Sequence, residues 1–396
     1  LSARQAALAA AELHRSSSED TVVRERATGG DSASGLPAPR QRRGGLAVLL
    51  LCTLLAGAAA VSFARRTPTP APPPSPAPLI GAHYYPWYDR QRWAGQPATD
   101  TPALGRYASA DRAVVARHVR WAREADLDFF MVSCLAPDGP EAGTFRTAVL
   151  PELEAAEFRF ALHYETPVAL GLHPQEPIDL AARLSGGGAA GDLLVEHFDR
   201  LAETTLRHPQ YLRHQGKAVV MLYLVRNVVN AEPYLRAVRD RLAGRGIELY
   251  LIADVVYWET PGELDWPFLA EHFQAVTAYN MYHRPDFLPG VARQYRAADR
   301  GARARGMRFV PHVMPGYDDT RLRGPNRVRL DRRGGQFYRD FWALGSEFVR
   351  PDQPFLLVTT FNEWHEGTEL EPSVEHGDNY LTLTRELAGV LRNGSK

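Results

Sequence analysis

Leu79-Ile80-Gly81-Ala82-His83-Tyr84-Tyr85 is a short apolar run that ends on polar and aromatic residues. Residues 111–124 follow, with Val114, Val115, His118, Val119 and Ala122 at helical spacing. Phe129-Phe130-Met131-Val132-Ser133 then opens a second apolar run. Strand, amphipathic helix and strand make one βαβ unit, and the chain repeats that rhythm. Runs at 159–164, 217–224, 248–253, 273–279, 308–313 and 355–360 read as further strands. Helical stretches at 145–156, 193–206, 231–242, 291–305, 336–344 and 380–391 lie between or after them. Eight strands alternating with helices predict an α/β fold, a (β/α)8 TIM-type barrel over 79–392. A doubly wound open sheet has similar periodicity.

The whole chain has 396 residues, 45% of them hydrophobic and 23% charged, which is a globular composition. Lys plus Arg equals Asp plus Glu at 46 each, so no basic footprint for nucleic acid exists. Two cysteines, Cys52 and Cys134, are too few for a disulfide framework or a thiolate zinc site.

Upstream of the barrel the texture differs. Residues 1–43 are rich in Ala, Ser and Arg and read as a disordered tail. Residues 44–64 carry no charge, and as a helix they would span about 31 Å, close to a bilayer's hydrocarbon core. Arg40, Arg42 and Arg43 precede this segment, and Arg65 and Arg66 follow it. The heavier basic side predicts a cytoplasmic N-terminus and an exported remainder. Ala58-Ala59-Ala60 offers a cleavage site, so a removed signal peptide is the rival to a membrane anchor. The linker 65–78 has seven prolines between Thr67 and Pro78 and reads as a stiff polyproline spacer.

In a barrel of this kind chemistry sits at the C-terminal ends of the strands. Those positions hold His83-Tyr84-Tyr85-Pro86-Trp87-Tyr88, His163-Tyr164-Glu165, Tyr279-Asn280-Met281-Tyr282, Pro315-Gly316-Tyr317-Asp318-Asp319 and Asn362-Glu363-Trp364-His365-Glu366. Aromatic rings stack on sugar faces while carboxylates and amides bond hydroxyls, so the set suits a carbohydrate cleft. Taken singly, each ring could equally cap the core.

The last group continues as Phe361-Asn362-Glu363-Trp364-His365-Glu366-Gly367-Thr368-Glu369-Leu370-Glu371-Pro372. Gly367 and Pro372 mark a turning backbone. On a helical turn Glu363 and Glu366 share a face, which brings two carboxylates together. Neighbouring carboxylates acquire separated pKa values, so one can act as acid while the other acts as base. Glycoside hydrolysis uses such a pair. The bland alternative is a solvated acidic loop running on through Glu369 and Glu371.

From 80 to 384 the chain resembles glycoside hydrolase family 99, the endo-α-mannosidase and endo-α-mannanase family. The resemblance rests on His83–Tyr88, Met314–Arg321, Asn362–Thr368 and Glu375–Leu381. It implies an exported retaining barrel glycosidase acting inside α-mannosidic glycans, without cofactor or metal. It also implies a reaction in which one Glu deprotonates the sugar's own 2-hydroxyl to give a 1,2-anhydro sugar. The other Glu protonates the leaving oxygen and then activates water. By motif position Glu363 is the base and Glu366 the acid/base. Glu165, Tyr279, Tyr282 and Arg321 would line the subsites, together with His83, Tyr84, Tyr85, Trp87, Tyr317, Asn362, Trp364 and His365. Where family members carry Trp after the second strand, this chain has Ser133-Cys134-Leu135. The expected partners are an oligosaccharide or polysaccharide, and a membrane if the 44–64 helix is uncleaved, with the protein a monomer. A donor-using glycosyltransferase and a non-catalytic carbohydrate-binding protein are the competing functions.

Other patterns carry less. Gly186–Gly191 matches a dinucleotide-binding spacing but follows a helix-like stretch rather than a strand, and reads as a loop with Asp192 capping the next helix. His83, His163, His312 and His365 lack metal-motif spacing. Cys134 reads as a packed thiol.

Overall fold

The structure, a computed structural model, describes residues 77–174, 176–258, 264–279, 281, 286–325, 327 and 329–394. The 1–43 tail, the apolar 44–64 segment and the linker up to Pro76 lie outside the described residues. So does Tyr282. Among the described residues no helix is long and apolar enough to cross a membrane.

Nine parallel strands form a nearly closed barrel: β1 (Leu79–Tyr84), β2 (Phe129–Cys134), β3 (Arg159–Tyr164), β4 (Lys217–Leu222), β5 (Leu249–Asp254), β6 (Ala275–Thr277), β7 (Arg308–Val310), β8 (His312–Val313) and β9 (Phe355–Val358). Each pairs with the next in chain order except across Pro311, and β9 returns to pair with β1. Pro311 has no N–H to offer a neighbouring strand, so the run expected at 308–313 is split in two. Its carbonyl still accepts from Leu357 N at 3.1 Å. The arrangement is consistent with the (β/α)8 pattern and removes the open edges of a doubly wound sheet.

Period-two burial sorts the strands. Ile80, Ala82, Phe130, Val132, Phe160, Leu162, Val220 and Leu251 pack outward with the helices. Phe129, Met131, Ala161, Val219, Met221, Ile252 and Leu357 pack inward as a barrel core. Gly81 is small because a Cβ there would stand 2.3 Å from the Phe129 ring. Above this apolar plug the inward positions become His83, His163, Thr277 and His312, all buried, and then Tyr85, Glu165 and Tyr279.

Helices begin where the sequence supplies caps. Asp111 accepts from Ala113 N ahead of Arg112–Glu124, and Asp265 accepts from Phe268 N ahead of Trp266–His272. Asp192 lies inside the helix Ala190–Thr204 rather than capping it, and reaches back to accept from Ala189 N at 3.0 Å. Several strands are shorter than their apolar runs. β4 stops at Leu222 because Leu224 adopts a left-handed conformation, with its N–H bonded to the Asp254 carboxylate.

Candidate active site

The segment after β9 turns at once into a short helical turn, Trp364–Glu366, closed by Gly367 in the left-handed region. A side chain at 367 would meet the Asp318 backbone at 3.0 Å, and Asp318 N donates to Glu366 O at 2.8 Å. This turn places Glu363 and Glu366 on one face. One carboxylate oxygen of each, together with a His365 ring nitrogen, lies within 4.8 Å of the other two. Both carboxylates are nearly enclosed, 4% and 5% exposed.

Their partners differ. Tyr279 OH donates to Glu363 Oε2 at 2.9 Å, and Tyr85 OH in turn bonds Tyr279 OH. Thr360 Oγ1 accepts from Glu363 N at 2.8 Å. Glu366 Oε1 instead accepts from Arg323 Nη2 at 2.9 Å, and the same guanidinium bonds Tyr317 OH and Asp319 Oδ2, both at 2.6 Å. Burial, then the charges of Glu366 and Glu165, push the Glu363 carboxyl well above the usual range. Burial also raises Glu366, but Arg323 opposes it. Arg323 therefore favours charge on Glu366 over charge on Glu363. Glu165, bonded by Ser133 Oγ at 3.0 Å, is pushed up to about 8, chiefly by burial and further by the charges of Glu366 and Asp254.

Trp87 is half-buried beside the pair. Its ring stacks on Tyr85 at 4.4 Å, lies 6.0 Å from His365 and carries the Arg92 guanidinium at 4.4 Å. His365 Nε2 stands 3.4 Å from Glu363 Oε1. Glu363, His365 and Glu366 have the donor types a cation takes, but Tyr279 and Arg323 already engage an oxygen of each carboxylate.

Thus Tyr85, Trp87, Glu165, Tyr279, Glu363, His365 and Glu366 are brought together. Other expected residues fall elsewhere. Tyr84 points to the helix layer, stacking on Phe130 and bonding His118 Nδ1 at 3.1 Å, because alternation along β1 sends it away from Tyr85. His83 lies in the layer below the cleft. Tyr317 is buried against Asp319 and supports Arg323 rather than lining the opening. Arg321 is exposed, and the guanidinium on Glu366 comes from Arg323 one half-turn further on. Asn362 and Trp364 are fully buried braces. Asn362 accepts from Tyr85 N at 2.8 Å and donates to Tyr85 O at 3.1 Å, holding the loop after β1 to the loop after β9. Trp364 Nε1 donates to Glu371 Oε2 at 3.0 Å, and Glu371 Oε1 pairs with His118 Nε2 at 3.0 Å inside the core. The acidic run is therefore not solvated: Glu363, Glu366, Glu369 and Glu371 are all buried. Burial pushes the Cys134 thiol up to about 12, which keeps it unreactive.

The residues missed by sequence reasoning are supports. Asp254 accepts from Tyr279 N at 3.0 Å and from Arg226 Nη1 at 3.1 Å, and it fixes the loops after β4 and β6. Its position at the end of a strand was the available signal.

A parallel barrel with two enclosed carboxylates at the end of its last strand, set among aromatic rings, is the arrangement that barrel glycoside hydrolases use. The profile of glycosyl hydrolase family 99 matches residues 276–385. Glycoprotein endo-alpha-1,2-mannosidase of Rattus norvegicus is 24% identical over 285 residues, covering 69% of this chain and 56% of that protein. The Homo sapiens glycoprotein endo-alpha-1,2-mannosidase-like protein is 24% identical over 286 residues, with 69% and 57% coverage. The GH99 endo-alpha-mannosidase structure from Bacteroides thetaiotaomicron superposes with TM-score 0.62 at 20% identity, over 79% of this chain and 97% of that one. The profile match is confined to the C-terminal part of the barrel, and the fold as a whole resembles that of the Bacteroides thetaiotaomicron enzyme. The chain spans little more than half the length of the named mammalian relatives it matches.

Proposed function

We propose that the protein is a retaining, endo-acting hydrolase of α-mannosidic glycans. The observation that carries this reading is the enclosed Glu363–Glu366 pair, with oxygens within 4.8 Å and unlike partners. Retaining enzymes hold their carboxyl groups about 5–5.5 Å apart, whereas inverting enzymes leave room for a water between them. The mannose preference and internal cleavage are supported by the family 99 profile match and by the names of the relatives. By motif position, Glu363 takes the proton from the sugar's 2-hydroxyl, which attacks C1 and closes a 1,2-anhydro ring. Glu366 protonates the departing oxygen, then draws a proton from water as water attacks C1 and opens that ring, while Glu363 returns its proton to O2. No covalent bond to the protein forms.

The resting electrostatics bear on this order. With Arg323 favouring charge on Glu366 over charge on Glu363, the assigned roles require a proton to cross the short gap as the sugar enters. The exchanged assignment, Glu363 as acid, needs no such transfer and is the second reading. The test is an aryl α-mannoside with a good leaving group, which does not need protonation. The glutamine variant of whichever glutamate serves as the acid should regain activity on it. The product anomer followed by NMR checks retention. An inverted product, or full activity in both variants on mannan, removes the proposal.

The export and anchoring of the catalytic body through residues 44–64, and its monomeric state, belong to the same proposal. A membrane flotation assay of the full chain with the boundaries intact would test the anchor.

A further inference from the structure

Directly under the carboxylates lie three imidazoles that the reaction above does not use. His83 Nε2 stands 2.9 Å from His312 Nε2, and His83 Nδ1 stands 3.2 Å from His163 Nδ1. His312 Nδ1 stands 2.8 Å from Thr277 Oγ1, whose hydroxyl donates to Val310 O at 2.6 Å. All four side chains are at most 1% exposed.

These contacts fix every proton. A threonine hydroxyl has one hydrogen, and Val310 O can only accept, so Thr277 Oγ1 must receive the His312 Nδ1–H. A neutral His312 then has a lone pair at Nε2, which requires His83 to donate from its Nε2. That leaves His83 Nδ1 as an acceptor, so His163 donates from its Nδ1. Burial holds all three imidazoles well below their usual basicity, His163 and His312 at about 3. Protonating His83 or His312 would also set two N–H groups against each other. The series ends at His163 Nε2, buried with no partner among the described residues, which fits a lone pair better than an orphaned N–H.

The chain meets the reaction centre chiefly through one ring, with His163 Nδ1 also 3.7 Å from Glu165 Oε1. Tyr279, whose hydroxyl bonds Glu363, packs at 4.8 Å on His83, 5.2 Å on His163 and 5.7 Å on His312, between centroids. We propose that His83, His163 and His312 are positioning residues: a one-way chain of neutral imidazoles, anchored at Thr277, that seats the Tyr279 ring and aims its hydroxyl at Glu363. The kinetic part of this rests on the hydrolase reading; the chain itself does not.

The test has two arms. In the first, protein labelled with 15N-histidine and 13Cζ-tyrosine is examined by NMR at pH 7 without substrate, with single variants used for assignment. His312 and His163 should carry hydrogen on Nδ1 and His83 on Nε2. The Tyr279 Cζ resonance, which reports its hydrogen bond, should move in Thr277→Val. Any other tautomer, an imidazolium among the three, or an unmoved Tyr279 resonance in a folded Thr277→Val overturns the proposal. In the second arm, His163→Asn, which keeps a donor near the Nδ1 position, is compared with His163→Leu, which keeps only bulk. His163→Leu should lose about tenfold more in kcat than His163→Asn, with KM nearly unchanged, the size expected for one lost buried hydrogen bond. Equal kcat in the two variants, both folded by circular dichroism, overturns the positioning role. Wild-type protein inert on every mannan would count against the hydrolase reading, while the first arm still decides the chain.

Discussion

Arg323 holds its guanidinium 2.9 Å from the Glu366 carboxylate and, through Asp319 and Tyr317, is itself held in place. A cation fixed on one member of a carboxylate pair decides where a shared proton rests. Here it favours charge on Glu366 over charge on Glu363, whose carboxylate accepts from Tyr279 and lies 3.4 Å from His365 Nε2.

Removing that cation should therefore disturb the reaction more than an ordinary loss of contact. Arg323→Ala is expected to lower kcat/KM at least about tenfold and to move the alkaline limb of the pH–rate profile upward, because Glu366, the assigned acid, becomes easier to protonate; an acidic limb that moves instead favours the exchanged assignment. Arg321→Ala, at an exposed position, should have the smaller effect. Steady-state rates across pH 4–9 on an α-mannan provide the measurement.

Glu363→Gln and Glu366→Gln should each reduce turnover of an unactivated mannan by about 10²–10⁴-fold while the melting temperature stays near wild type or rises. Thermal unfolding by circular dichroism, run beside the assay, separates chemical loss from unfolding.

Glu165 gives a stability prediction with a definite sign. Its folded pKa, about 8, is raised above the ordinary glutamate value, so its contribution is full at pH 4 and is lost as pH rises toward 8. Glu165→Gln cannot ionise. The melting temperature of the variant relative to wild type should therefore climb between pH 5 and pH 8, by about 2–4 °C for each kcal/mol relieved. A constant offset over that range would contradict the buried, proton-holding Glu165 described above.

Glu371 is braced against His118 with both side chains fully enclosed, and it also receives Trp364 and Tyr107. Glu371→Ala strands the His118 imidazole and two further donors in the core, and should destabilise the protein by about 3–5 kcal/mol. Urea unfolding of Glu371→Ala, His118→Ala and the double variant should show strong coupling. Additive losses would mean that the pair is not the brace it is described to be.

The barrel was legible in the sequence because eight apolar runs keep strand length and recur between amphipathic helices, a pattern set by local burial. The Glu363–Glu366 turn was legible for a related reason: Gly367 forces the chain to bend beside them. Beyond that, local pattern loses its hold. Whether Tyr84 or Tyr85 faces the cleft depends on the phase of β1, and composition does not mark that phase. Arg321 and Arg323 differ by two residues on a short turn, and only its docking against Asp319 decides which one reaches Glu366. Glu371 looks solvated in a run of acids, since its partner His118 lies 253 residues away in the chain. The same holds for Thr277 and His312, each unremarkable in its own segment and joined only by the closing of the ring.

The Asn362 side chain, which both accepts from and donates to the backbone of Tyr85, behaves as a rung of sheet built from an amide rather than from main chain. Such a rivet closes the mouth without asking the flanking loops to be extended. Those loops are thereby free to change length and chemistry, so the entrance could be remodelled for bulkier or branched chains while the two acids beneath keep their spacing.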